Sequence, residues 1–314
     1  MATMLTPQTF NKAADTPPGA LIRLEAMINA EVALQLADQA SLRQFITYVG
    51  SINGTGSDTI RYRTTNLGAK SPMATAADGA AVTGSSMDGT VADVTVSRSA
   101  LAYDLTDLFS LTSFGNDIDP FFVANAMSKS AEARMNEVIC ATFDSASVSK
   151  GTAGLALDVD GWTEALYALE EANNGSKITC VLKNKAFTDL QKSLRTENNN
   201  FLSYDPGTAA MSAAKPQGYC GELLGVSIFR SDYVQENGPA TDWVSAMFSQ
   251  DAIGFGTGSP ELVGASAEFR PAGSPLVIEF SRDASKGISQ IIGHMYFGAN
   301  ILEDARIVKL ISVK

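Results

Sequence analysis

Residues Asn116–Ser145 read NDIDPFFVANAMSKSAEARMNEVICATFDS. Asp117 or Asp119 is placed to cap a helix, and Pro120 suits a first helical position. From there Phe121, Ala124, Ser128, Ala131, Met135, Val138 and Thr142 follow at three- and four-residue steps, one apolar-to-small stripe. Lys129, Glu132, Arg134 and Glu137 lie mostly off it, and no Gly or Pro interrupts the run after Pro120. The pattern predicts a helix over 117–145, roughly 35–40 Å long at about 1.5 Å per residue, where ordinary helices run to about 11–12 residues. A long surface helix in an ordinary α/β domain is the plain alternative, so the flanking segments decide.

Upstream, Met1–Gly19 carries Pro7, Pro17 and Pro18 with little periodicity, and predicts an extended arm laid along a partner. Leu21, Leu24, Ile28, Val32 and Leu36 then mark an amphipathic helix within 21–40, and Phe45–Val49 reads as a strand. In Thr59–Thr64, Ile60 and Tyr62 alternate with Arg61 and Arg63, and Val91–Arg98 alternates in the same way. Between these strands lies NLGAKSPMATAADGAAVTGSSMDGT, a tract of small residues too long for an ordinary loop. Two strands leading to such a tip predict a protruding ribbon, and a lone ribbon is marginal in water. Residues 57–100 balance four basic side chains (Arg61, Arg63, Lys70, Arg98) against four acidic ones (Asp58, Asp78, Asp88, Asp93). That balance suits contact with further copies of the chain; the candidate contact residues are Arg61, Arg63, Lys70, Asp78, Asp88 and Asp93.

Downstream, Trp162–Glu171, Ile178–Leu182 and Lys185–Arg195, with Asn184 as cap, read as helix, buried strand and helix, which predicts an α/β lobe. Thr196–Gln217 is a polar loop, Gly221–Arg230 passes a turn into a strand, and Trp243–Ser249 is a strand. Glu261–Arg270, Leu276–Arg282, Ile288–Phe297 and Arg306–Val313 are strands, with a turn at 283–287. Long strands beside a long helix suit a helix laid across an antiparallel sheet, with Met135 and Val138 buried against it. The fold class is α+β.

Composition narrows function. The 314 residues are 45% hydrophobic and 18% charged, with formal net charge −11. No Lys/Arg run could coat a nucleic-acid backbone, so sequence-specific DNA binding is not expected. Met1–Lys12 has no basic start followed by an apolar run, and no ~18-residue apolar tract is present, so neither a signal peptide nor a membrane span is expected. Cys140, Cys180 and Cys220 have no metal or disulfide spacing and read as thiols of a reducing cytoplasm. Asn53–Thr55 and Asn174–Ser176 match a glycosylation pattern but read as turns.

Enzymatic readings find little support. His294 is the only histidine and sits in a strand-like run with no Ser or Cys partner signalled, so it reads as structural. Gly254-Phe-Gly-Thr-Gly258 precedes an extended run and no helix N-terminus, so it reads poorly as a phosphate loop. Glu170–Glu171 and Glu303–Asp304 read as solvated, helix-terminal or turn charges. No catalytic residue, cofactor or metal site is expected.

The order of arm (1–19), ribbon (58–98), spine helix (117–144), lobe (152–248, with ITCVLKNKAFTDLQ and GELLGVSIFRSDYV) and closing strands (VIEFSRDASKGISQIIGHMYFGANILEDARIVKLISV) resembles the major capsid proteins of tailed bacteriophages, with the Hong Kong 97-type fold. The resemblance covers nearly the whole chain and rests on order and spacing. It implies an N-terminal arm and helix at 1–40 and an extended loop at 41–100. A peripheral domain would take 101–150 and 251–303, with the spine helix at 117–145, and an axial domain 151–250 and 304–314. It further implies pentamers and hexamers in an icosahedral shell, double-stranded DNA enclosed without sequence reading, and scaffolding, portal and decoration partners. The chain would be made in the bacterial cytoplasm and reside in the virion. No long helical segment precedes the arm, so neither an N-terminal scaffolding segment nor its proteolytic removal is expected. Some members of the family crosslink an extended-loop Lys to a neighbour's Asn; Lys70 lies in the ribbon, but with no assisting acid evident it reads as a solvated lysine that aids pairing. A bacterial encapsulin-type compartment, which shares the fold but encloses cargo enzymes, is the first alternative; the Pro-containing arm favours the phage reading. A soluble α/β enzyme or ligand-binding protein is the second.

Overall fold

The computed structural model describes residues 42–65, 78–79, 89–106, 120–172, 177–196, 204–205, 219–237, 242–259, 267–269 and 275–314. The expected arm at 1–19, the helix at 21–40, Lys70, Asp88 and the cap candidates Asp117 and Asp119 lie outside the described residues.

A 3-10 turn at Leu42–Phe45 precedes β1 (Thr47–Ser51), so the expected strand at Phe45 starts two residues later. β2 (Thr59–Thr65), β3 (Gly89–Thr95) and β4 (Ser97–Thr106) follow. The spine is α1 (Pro120–Ala141), 22 residues that Pro120 opens as expected, closing in a 3-10 turn at Thr142–Ser145. Next come β5 (Ser149–Lys150), α2 (Val159–Ala172), β6 (Ile178–Leu182) and α3 (Asn184–Thr196). The remainder is β7 (Tyr204–Asp205), β8 (Tyr219–Leu223), β9 (Val226–Arg230), β10 (Asp242–Ser249), β11 (Ile253–Gly258), β12 (Ala267–Phe269), β13 (Leu276–Asp283), β14 (Ile288–Ile301) and β15 (Ile307–Val313).

These residues fall into two compact units. The smaller holds the described residues of 101–130 and 262–293, the larger those of 39–100, 131–261 and 294–314. Strand β4, helix α1 and strand β14 contribute residues to both.

In the larger unit, seven strands form a mixed sheet in the order β5-β15-β10-β6-β9-β8-β7. β6 reads ITCVL and is buried at every position, as a central strand covered on both faces must be. It pairs in parallel with β9, which requires a crossover, and α3 supplies it. Trp162, Leu169, Leu190, Ile228 and Met247 form the core between helices and sheet. Asp158 caps α2, its Oδ1 accepting the Gly161 N–H at 2.8 Å. Asn184 is not the cap expected for α3. The Phe187 N–H already donates to the Lys183 carbonyl at 3.0 Å, and the Asn184 side chain instead donates to Asp232 Oδ1 at 2.6 Å. β8 and β9 are joined through Leu224 and Gly225, both at positive φ (52° and 79°), as a two-residue hairpin turn requires.

The same unit holds β1, β11 and residues 294–301 of β14 side by side. The expectation of an antiparallel sheet is met between β11 and β14 but not between β1 and β11, which are parallel. The glycine-rich β11 is a receiving surface. A Cβ on Gly254 would meet Val49 and Leu302 side chains at 2.5–2.8 Å, and one on Gly256 would meet Ile60 at 2.6 Å.

Residues 131–141 of α1 bury Ala131, Met135, Ile139 and Cys140. Met135 is 1% exposed, whereas Val138 is only half-buried, so the two are not equally enclosed as expected. Glu132 also departs from expectation, being buried. It accepts the Asn136 Nδ2–H at 3.2 Å, and Asn136 Oδ1 in turn accepts the Leu42 N–H at 3.0 Å. Burial lowers the Arg43 pKa while the Glu132 charge opposes that shift, so Glu132 is buried facing a cation.

In the smaller unit, β12 pairs antiparallel with β13 from Ala267↔Phe280 to Phe269↔Ile278. Residues 288–293 of β14 lie beside β13, and β4 pairs β14. Gln290 Nε2 donates to Asp104 Oδ1 at 2.9 Å, and Arg282 Nη1 to Ser289 Oγ at 3.2 Å. Val123, Met127, Leu276, Ile278, Phe280 and Ile291 are buried.

Candidate assembly surfaces

The ribbon is β2 paired antiparallel with β3, in register from Thr59↔Thr95 to Thr65↔Gly89. Because side chains alternate, Arg61 and Arg63 share a face with their cross-strand partners Asp93 and Val91. The opposite face carries Ile60, Tyr62 and Val94, of which Val94 is fully buried. Ile60 reaches Gly50 and Gly256, so this base rests on its own unit. The ribbon is therefore anchored at its root while its Arg face is turned to solvent.

Two of the six candidate contact residues already have each other. Arg61 Nε and Nη2 donate to Asp93 Oδ1 and Oδ2 at 3.0 and 3.2 Å, a bidentate pair across the ribbon. The bond raises the Arg61 pKa and lowers that of Asp93. Composition hid this pairing, but opposite charges on the same face of facing strands were a signal for it. Arg63 remains exposed beside Val91, itself 54% exposed. Asp78 is exposed next to Gly79 (φ 78°) in a turn. Lys70 and Asp88 lie outside the described residues, so the structure does not bring all six together.

Beside the spine, Arg134, Glu137, Val138 and Ala141 of α1 line an open cleft of about 340 Å³ together with Ala299 and Asn300 of β14. Arg134 Nη1 pairs with Glu137 at 2.7 Å and its Nε donates to Ser99 at 3.3 Å. The cleft explains why Val138 is half-buried.

The residues weighed for chemistry are occupied structurally. His294 is buried in β14, with Arg98 Nη2 3.1 Å from its Nδ1. Gly254–Gly258 is strand β11. Glu303 and Asp304 stand at the start of the 3-10 turn Asp304–Arg306, as helix-terminal or turn charges; Glu303 pairs with Arg306 at 2.9 Å, and Asp304 accepts the Ser147 N–H at 3.0 Å. Burial pushes the Cys140 thiol up to about 12 and Cys180 well above its ordinary value; burial also raises Cys220. Among the described residues, no three His, Cys, Asp or Glu side chains are grouped to hold a metal ion, and no helix is long and apolar enough to cross a membrane.

No protein-family profile matches the chain, and no curated protein matches it in sequence. Solved structures do match in three dimensions. The capsid of the cyanophage P-SCSP1u is 13% identical, with 88% of this chain and 89% of that one covered and a TM-score of 0.58. The capsid of an empty GTA particle, computed with C5 symmetry, is 13% identical over 88% and 90% at a TM-score of 0.59. The SrpI encapsulin of Synechococcus elongatus PCC 7942 is 13% identical over 98% and 92% at 0.53. The architecture is that of the shell-building capsid proteins. In particular, the chain has the Hong Kong 97-type fold, α+β with a spine helix, a ribbon and two main sheets.

Proposed function

We propose that this chain is the major capsid protein of a tailed, double-stranded DNA bacteriophage, a structural subunit and not an enzyme. Many copies, grouped as pentamers and hexamers, would build an icosahedral head. The observation that carries the reading is end-to-end likeness: about nine-tenths of this chain superposes on about nine-tenths of phage and GTA capsid chains, leaving little of either for another role. The ribbon supports it, since an anchored root with an outward Arg63–Val91 pair presents surface to a neighbour.

In this reading the seven-stranded sheet with α2 and α3 forms the axial domain, α1 with β11 and β14 belongs to the peripheral domain, and β1 flanks the extended loop. Arg63, Lys70, Asp78 and Asp88 contact other copies, with Arg61 and Asp93 stiffening the ribbon between them. A net charge of −11 suits a wall that encloses DNA without gripping it. Scaffolding, portal and decoration proteins would complete the head after synthesis in the host cytoplasm.

The encapsulin match covers 98% of this chain, which keeps a protein-filled compartment as the second reading. Electron microscopy of the purified protein, with assay of the particle contents, decides between them. Polyhedral shells that package DNA in infected cells support the proposal, shells filled with protein favour the compartment, and dispersed monomers under all assembly conditions overturn both.

A further inference from the structure

Two helices of the larger unit carry matching exposed rows. On α2, Gly161, Trp162, Ala165, Leu166 and Leu169 are buried, which turns Asp160, Glu164, Tyr167 and Glu171 outward. Tyr167 is 69% exposed, the most open of the large apolar side chains described. On α3, Ala186, Phe187 and Leu190 are buried, and Lys185, Thr188 and Lys192 face out. Asp189, 5% exposed at its side chain, holds both lysines at 2.5 and 3.2 Å and fixes their placement.

The spacings coincide. Glu164, Tyr167 and Glu171 stand at i, i+3 and i+7, and so do Lys185, Thr188 and Lys192. Seven residues advance a helix by about 10.5 Å and return it to nearly the same face, so the two acids and the two lysines are equally spaced along their axes. The rows also lie at different places along the sheet. α2 packs toward β5, β15 and β10, whereas α3 bridges β6 to β9, with Arg230 5.4 Å from the Phe187 ring.

We infer that the α2 row of one copy docks against the α3 row of the next, Glu164 and Glu171 meeting Lys185 and Lys192 around a Tyr167–Thr188 centre. Resting on the shell reading, this assigns the contact that closes each ring. It joins two different surfaces, so it is heterologous, and repetition around an axis generates a closed ring. Charge complementarity selects the occupant: a second copy supplies a cationic row of the right pitch, and desolvation of Tyr167 supplies the apolar contact. Lys150, which lies 3.3 Å from Glu164 in the isolated subunit, moves aside or shares that acid.

The test uses full-length protein. The pair Tyr167→Cys and Thr188→Cys in one chain, oxidised in assembled particles, is expected to give a covalent ladder ending at the ring size. Either cysteine alone, like the parent chain with its three native thiols, is expected to give no ladder. Separately, Glu164→Lys with Glu171→Lys is expected to lower shell yield several-fold, as is Lys185→Glu with Lys192→Glu, and combining all four is expected to restore it. Circular dichroism confirms that each variant folds. Shells of the double-cysteine chain that form without a ladder, or folded charge-reversed chains that assemble at the parent yield, overturn this contact while leaving the shell reading intact. A parent chain that never forms shells overturns both.

Discussion

Gly298 of β14 lies against Thr95 so closely that a Cβ built on it would sit 1.9 Å from the Thr95 carbonyl oxygen and 3.0 Å from the Val96 Cα. The obstacle is backbone, which cannot rotate out of the way as a side chain can. The end of the ribbon therefore crosses β14 at a residue without a side chain.

Gly298→Ala is accordingly expected to cost at least about 1–3 kcal/mol, the usual range for overpacking. Gly293→Ala, where the nearest atom would be Leu276 Cδ1 at 3.4 Å, is expected to cost far less. Denaturant midpoints of the two variants check the contrast; equal losses would show that the crossing is not tight.

Met135→Ala is expected to destabilise the subunit by roughly 2–5 kcal/mol, since its side chain is 1% exposed. Val138→Ala, at the lip of the cleft, is expected to cost less than about 1 kcal/mol. Chemical unfolding at constant slope measures both, and an unchanged midpoint for Met135→Ala would contradict the burial.

The Arg61–Asp93 pair predicts a pH response. The Arg61 hydrogen bond lowers the Asp93 pKa, so any stabilisation from the pair is present above the ordinary carboxylate value and is lost as pH falls through the depressed folded value. Carbon-13 NMR titration should place the Asp93 carboxyl below its ordinary range in the parent and move it up in Arg61→Ala. Both groups are fully exposed, so subunit stability near neutral pH is expected to change little.

Thiol chemistry offers a further check. With Cys140 pushed up to about 12 and Cys180 raised well above its ordinary value by burial, neither should react with Ellman's reagent at pH 8 while folded, and half-buried Cys220 should react first. Rapid modification of all three without denaturant would mean that the unit around β6 opens readily.

The spine is legible because its period extends over six turns: of the stripe Phe121, Ala124, Ser128, Ala131, Met135, Val138 and Thr142, the side chains of Ser128, Ala131, Met135 and Thr142 are buried and Val138 is half-buried. Glu132 was misplaced because periodicity assigns faces by residue type, whereas its burial is made tolerable by Arg43, distant in sequence. The ribbon strands and their pairing were legible from alternation, but their register was not, because the intervening tract of small residues gives no turn from which to count it. Once Arg61 is set opposite Asp93, the ion pair follows. The cap of α3 was missed for a local reason: Asn184 is a good capping residue that here prefers Asp232. The Tyr167 row is visible in the sequence only after α2 is known to bury Trp162 and Leu169.

The bond from Gln290 to Asp104 joins residues 186 positions apart. A ribosome adding about 5–20 residues per second needs roughly 10–40 s to travel that distance. For that interval β4 has left the exit tunnel with an unpaired edge, because the strand that will cover it has not been made. Such edges recruit other chains, and neighbouring ribosomes on the same message are making the same sequence. The order of segments along the gene thus sets a window in which nascent subunits are vulnerable to one another, and slower translation widens it.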